Sequence, residues 1–321
     1  MARKIHDYKI FGNHAYYTPG ISGMIALFGW FILGSIVGSV LAALLTPIGM
    51  GDYAFMISYA VSFIPAMMFA ASRGVRNAGF DTGYVLDNNN FAPVNGWVLA
   101  AMVIVGTLAM SYISDFFTSL LPPMPDFLKE AMEKLTQDSP LWVSFITVSL
   151  MAPFFEEWLC RGMVLRGLLH YKHTLRVSTP TEEEALAGVK PGDVVTRHGL
   201  KPVWAIVISA VFFAVLHMNP WQGIAAFLLG CLFGYVYWKT GSLKLTMLMH
   251  FTNNTCALVL ANAFPSMAEA ESFMDILTPW QYAAGAVICI AILVLFFLVF
   301  RKVEVRDVHG NCDPIEATLP E

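Results

Sequence analysis

The sequence predicts an all-α fold, a polytopic membrane helix bundle of about eight transmembrane helices with both termini cytoplasmic. Three observations carry that prediction. Of 321 residues, 57% are hydrophobic and 13% charged, roughly half the charged share of an ordinary soluble domain, so a water-facing surface cannot be built. Apolar runs of membrane-crossing length recur along the whole chain. Lysine and arginine crowd into alternate loops, the asymmetry that orients a spanning bundle.

The runs lie at about 21–46, 53–71, 97–117, 142–169, 203–217, 221–238, 245–261 and 280–300. The first is too long for the core of a cleaved signal peptide and is read as a retained helix. Several fall short of the roughly 20 residues that cross a bilayer squarely, so their helices extend into flanking residues or lie enclosed by protein. Arg3, Lys4 and Lys9 precede the first run, Arg73 and Arg76 follow the second, and Lys172, Arg176, Lys190, Arg197 and Lys201 fill the loop after the fourth. Lys239 and Lys244 follow the sixth run, and Arg301, Lys302 and Arg306 the eighth. The intervening loops are poor in positive charge, and the one after the seventh run carries Glu269, Glu271 and Asp275.

Between 122 and 140, Phe127, Leu128, Ala131, Met132 and Leu135 stand at helical spacing among charged residues, which predicts an amphipathic helix on the outer membrane surface. The polar insert from Tyr171 to Lys201 is compatible with an ordered or a flexible loop. Of the five cysteines, Cys160, Cys231, Cys256 and Cys289 sit in apolar stretches and Cys312 near the C-terminus, with no CxxC pairing; neither a disulfide framework nor a zinc knuckle is expected. The net charge of −4 gives no sign of a nucleic-acid partner. The partner expected from composition is the lipid bilayer.

Most runs contain no charge, which makes the exceptions informative. The fourth holds Glu156, Glu157 and Arg161, and each ion at the bilayer centre costs at least about 2.5 to 3.5 kcal/mol, so each needs a partner or a task. Adjacent helical residues diverge by about 100°, whereas residues four apart share a face. Glu157 is therefore assigned to a buried pair with Arg161, leaving Glu156 for chemistry. The fifth run ends at His217, and the seventh contains His250 and Asn254, four apart on one face. Either histidine alone reads as a satisfied packing residue; together with Glu156 they suit peptide-bond hydrolysis. Glu156 would take a proton from water, His217 would orient that water, and His250 with Asn254 would donate to the developing oxyanion. An alternative is a metal ion held by Glu156, His217 and His250, since two histidines and a glutamate form a known zinc set. The cofactor is thus either Zn2+ or none.

In that order on three spans, Glu156-Glu157-xxx-Arg161, Phe213-xxx-His217 and His250-xxx-Asn254 resemble the signature of the CAAX-protease and bacteriocin-processing family of intramembrane endopeptidases, which includes the eukaryotic Ras-converting prenyl endopeptidase. The resemblance spans about Pro140 to Ala261 and includes all three motifs intact. It implies an intramembrane endopeptidase acting on a membrane-associated substrate, prenylated or leader-bearing. It further implies Glu156 as the water-activating residue, Glu157 and Arg161 as its supports, His217 as the second catalytic position, and His250 with Asn254 as the oxyanion site. The family carries the label metalloprotease, while a metal-free glutamate mechanism has also been put forward for it.

Other patterns are discounted. Gly49-Met50-Gly51-Asp52 spells the GxGD of aspartyl proteases but falls in a short outer turn, and Gly20 to Gly23 spells GxSG at the head of the first run. Gly230 and Gly234 form a GxxxG that suits close packing inside the bundle. The expected organisation is 1–139 for the N-terminal helices and outer amphipathic segment, 140–262 for the catalytic core, and 263–321 for the last helix and tail. Two functions from other classes compete: a non-proteolytic bacteriocin-immunity or scaffold protein, which would tolerate replacement of Glu156, and a proton-coupled transporter, which would need broken helices or repeated halves. A bacterial plasma membrane is the expected location.

Overall fold

Helices form over all eight apolar runs, and those that begin at Gly96, Pro220, Leu243 and Pro279 start from a side-chain cap. The computed structural model describes residues 10–77, 86–133, 140–170, 173–177, 179–180, 182–197, 199–264, 270 and 272–304. A short α1 (Ile10–His14) precedes α2 (Ile21–Leu45), α3 (Gly51–Asn77) and α4 (Gly96–Thr118). Next come α5 (Asp126–Glu133) and the long α6 (Leu141–His170). After α7 (Glu182–Leu186), the chain continues through α8 (Pro202–Leu216), α9 (Pro220–Thr240), α10 (Leu243–Ala263) and α11 (Pro279–Phe300). Asn219 caps α9 by accepting from Gln222 N–H, Pro220 occupies its first turn, and Gly241 ends it at φ 63°, a left-handed conformation that glycine adopts without a Cβ clash.

Six of these helices, α2, α3, α4, α6, α9 and α11, are long and apolar enough to cross a membrane. The other two fall short for different reasons. Helix α8 has only 15 residues, and α10, with 21, is diluted by His250, Thr252, Asn253 and Asn254. The protein is an integral membrane helix bundle.

Close backbone approach holds α2 to α3, as expected where lipid removes the hydrophobic drive between helices and small residues permit contact. A Cβ on Gly38 would stand 2.6 Å from the Ser58 carbonyl. The turn between these helices holds Gly49 at φ 80°, so the GxGD pattern is turn chemistry as read. Gly230 and Gly234 face Ala210 and Ile206 of α8, so the GxxxG packs internally.

Helix α6 is the hub. Of its apolar window 56% is buried, against 17% for α2 and α11. Trp158, Leu159 and Met163 pack with Leu27 of α2 and Phe63 of α3; Val164 and Leu165 pack with Ala205 and Ile206 of α8 and Tyr237 of α9. A second core joins α4, α9, α10 and α11 through Leu99, Val103, Phe233, Met249 and Phe296. Two stretches of α6, Phe145–Met151 and Trp158–Leu165, run in wide π register, with α-helical Ala152–Glu157 between them.

The insert left open by the sequence contains an antiparallel hairpin, β1 (His173–Arg176) with β2 (Val194–Arg197), in register His173 to Arg197. Val194, Val195 and Thr196 supply the β-branched run that favours a strand. Helix α5 matches the amphipathic stretch, with Phe127 74% exposed. Its expected continuation through Lys134 and Leu135 lies outside the described residues, as do Arg3, Lys4, Lys9, Lys172, Glu269, Glu271, Arg306 and Cys312.

Candidate active site

The two adjacent carboxylates of α6 point to different neighbours, as their angular separation requires. Glu157 is fully buried and accepts at Oε1 from Arg161 Nη1 at 2.8 Å, the expected i,i+4 pair. The same oxygen lies 3.0 Å from Nδ1 of His250 on α10, a contact that the sequence reading missed. Arg161 also donates from Nη2 to the Gly230 carbonyl at 3.1 Å and lies over the rings of Phe213 and Phe233, at 4.5 and 5.2 Å. Desolvated cation–π contacts of this kind are each worth about 0.5 to 2 kcal/mol. The buried charge pair thus joins α6, α8, α9 and α10.

The contact with Glu157 fixes the chemistry of His250. A carboxylate already serving Arg161 only accepts, so Nδ1 carries the hydrogen. Nε2 is then the lone-pair nitrogen of the neutral ring, or a second donor in the imidazolium.

Glu156 has a different environment. Its Oε1 accepts from the Tyr59 hydroxyl of α3 at 2.5 Å, and its Oε2 is buried with no partner among the described residues. Tyr59 was absent from the sequence reading. Its one signal is that it is a polar aromatic inside a run of lipid length.

His217 closes α8. Its Nδ1 lies 2.9 Å from the Phe213 carbonyl, which directs Nε2 away from the helix. The next residue, Met218, has φ 52°, a conformation that a non-glycine residue holds only when its surroundings impose it. Asn219 imposes it: its Nδ2 donates to the His217 carbonyl at 2.9 Å while its Oδ1 accepts from Gln222 N–H at 2.8 Å. The rings of His217 and His250 both pack edge-on against Phe213, at 5.0 and 5.5 Å. One phenyl ring thus brings the second and third motifs together with Arg161.

Asn254 is tied to the irregularity of α6. Ala152 N–H donates to Thr147 five residues back. In that register the donor for Val148 is residue 153, a proline with no N–H. The orphaned Val148 carbonyl accepts from Asn254 Nδ2 at 2.8 Å, leaving that amide one hydrogen. Asn254 Oδ1 accepts from Asn253 Nδ2 at 3.0 Å, and Asn253 Oδ1 accepts from Ser111 of α4 at 2.7 Å. His250 and Asn254 share a helix face, yet each has a separate anchor rather than a common target.

Two buried residues on another side of α6 also escaped the sequence reading. Arg166 donates to the carbonyls of His14, Ala15 and Tyr17, and His14 accepts at Nδ1 from Trp158 Nε1 at 3.1 Å while its Nε2 faces the Met67 carbonyl at 3.0 Å. They pin the N-terminal segment to α6.

Among the described residues no three His, Cys, Asp or Glu side chains are grouped as a metal ion requires, Glu156, His217 and His250 included. Residues 138–256 match the family described as Rce1-like, type II CAAX prenyl endopeptidase. That interval contains Glu156, Glu157, Arg161, His217, His250 and Asn254, and excludes Tyr59 and His14. No curated protein and no solved structure matches the chain.

Proposed function

We propose, from the match of residues 138–256 to the Rce1-like family of type II CAAX prenyl endopeptidases, that Glu156 activates a water molecule to hydrolyse a peptide bond of a membrane-associated substrate. The observation that carries this reading is the partner of the Glu156 carboxyl: a neutral phenol holds Oε1, where the neighbouring Glu157 is held by a guanidinium and an imidazole. A carboxylate without a cationic partner, in a low-dielectric setting, is suited to accept a proton.

Water gives its proton to Glu156 Oε2 as its oxygen bonds to the scissile carbonyl carbon, and the carbonyl π pair moves to oxygen. His217, through Nε2, orients the water. His250 as the imidazolium donates Nδ1–H to Glu157 and Nε2–H to the oxyanion. The remaining hydrogen of Asn254 Nδ2 is the second donor, and one such donor is typically worth about 2.7 to 4 kcal/mol. Collapse of the tetrahedral intermediate breaks the C–N bond, and protonated Glu156 returns its proton to the leaving amine.

The substrate class is a prenylated or leader-bearing peptide and the location a bacterial plasma membrane, with both termini cytoplasmic by loop charge. Residues 140–262 form the catalytic core, and 1–139 and 263–321 flank it. The test is cleavage of a fluorogenic peptide ending in an S-farnesylated CAAX box, and of a peptide library, by purified protein in detergent. Glu156→Gln and His250→Ala abolish cleavage, and 1,10-phenanthroline leaves the rate within about twofold. Full activity of Glu156→Gln returns the chain to a scaffold or immunity role; collapse with chelator and recovery with Zn2+ replace the glutamate-activated water by a metal-bound one.

A further inference from the structure

The geometry points to Tyr59 as a positioning residue for Glu156, which makes α3, outside the family-matched interval, a wall of the active site; this rests on Glu156 being the base. Three observations lead there. The Tyr59 hydroxyl is the hydrogen-bond donor to Glu156 Oε1, across 97 positions of sequence. The phenol ring is fixed from two helices: Phe55 and Phe63 of α3 at 5.8 and 5.4 Å, and Phe155 of α6, the residue before Glu156, at 6.5 Å. Phe63 and Phe155 stack on each other at 5.1 Å, so the helix that carries the donor and the helix that carries the acceptor are locked beside the bond itself.

A carboxylate on a flexible three-torsion side chain presents two near-equivalent oxygens. A donor on one of them stops rotation about the last torsion and assigns the other to the incoming proton. Orientation of this kind is worth a large share of a barrier, because a misplacement of about 1 Å can cost 10²-fold in rate. The ring lock means the donor need not reorganise when charge on Glu156 changes.

The test compares Tyr59→Phe with Glu156→Gln and wild type, using the farnesylated CAAX peptide and infrared difference spectra of the detergent-purified proteins. Tyr59→Phe keeps the ring and its aromatic contacts, so the fold is retained, as an unchanged melting temperature will show. The expected result is a kcat lower by about 10- to 100-fold with KM within about twofold. The carboxyl band assigned to Glu156, identified by its loss in Glu156→Gln, shifts in Tyr59→Phe. Wild-type kcat in Tyr59→Phe beside an inactive Glu156→Gln overturns the positioning role alone. An unshifted Glu156 band, which needs no substrate to measure, overturns the contact itself. An active Glu156→Gln overturns the base assignment and the positioning role with it.

Discussion

Glu156 and Glu157 are one residue apart on the same helix and have opposite environments. Glu157 is enclosed with a guanidinium 2.8 Å away and an imidazole 3.0 Å away on Oε1, whereas Oε1 of Glu156 meets a single neutral donor; in both, Oε2 is buried without a partner among the described residues. The difference teaches that a paired acidic motif in a membrane helix is two devices. One fixes four helices around a compensated charge, and the other leaves a carboxyl without a cationic partner. The largest expected effects separate them. Glu156→Gln lowers hydrolysis on the order of 10⁴-fold and leaves the unfolding midpoint in detergent unchanged. Glu157→Gln leaves Arg161 buried without its carboxylate and destabilises the protein by about 3 to 5 kcal/mol. If Glu156→Gln unfolds the protein while Glu157→Gln is stable and inactive, the two assignments exchange.

How far that contrast was legible depends on the range of the signal. The Glu157–Arg161 pair follows from i,i+4 spacing, and the divergence of the carboxylates from 3.6 residues per turn. The spans follow from apolar run length. Contacts between distant helices were not legible. Tyr59 meets Glu156 across 97 positions and His250 meets Glu157 across 93, and no local period encodes either. Arg166 and His14 were missed for a related reason: their partners are backbone carbonyls and an indole, so no opposite charge marks the pairing. The hairpin of the insert rests on two strands of only four residues each, too short for alternation to distinguish from loop.

Asn254 permits a finer division between support and chemistry. Its amide serves the Val148 carbonyl, whose donor in the π register is lost at Pro153. Asn254→Ala orphans that carbonyl and lowers stability by about 1 to 3 kcal/mol. Pro153→Ala supplies the missing N–H, so in the double variant the stability loss shrinks, while hydrolysis stays impaired because the oxyanion donor is still absent. A double variant that regains both stability and rate would make Asn254 purely a helix-to-helix tie and remove it from the chemistry, leaving His250 as the oxyanion donor on α10. The two unfolding curves and the two kcat values decide it.

The smallest effect tests a third side of α6, where His14 meets Trp158. Burial lowers the His14 pKa below 6.5, the Met67 carbonyl opposes this, and the nearby Arg166 guanidinium lowers it further. The hydrogen bonds give the same direction: Nδ1 accepts from the Trp158 indole while Nε2 faces a carbonyl, so the ring is neutral with its hydrogen on Nε2, and protonating Nδ1 would set two donors against each other. With the folded pKa depressed, the unfolded chain binds more protons at acid pH. Stability is therefore flat above about pH 6.5 and falls progressively as pH drops from there toward the folded pKa. Detergent melts between pH 8 and 5 should show that slope, and His14→Gln should flatten it. An unchanged slope in His14→Gln would assign the acid sensitivity to another group and leave the third side of α6 electrostatically inert, unlike the two that carry Glu156 and Glu157.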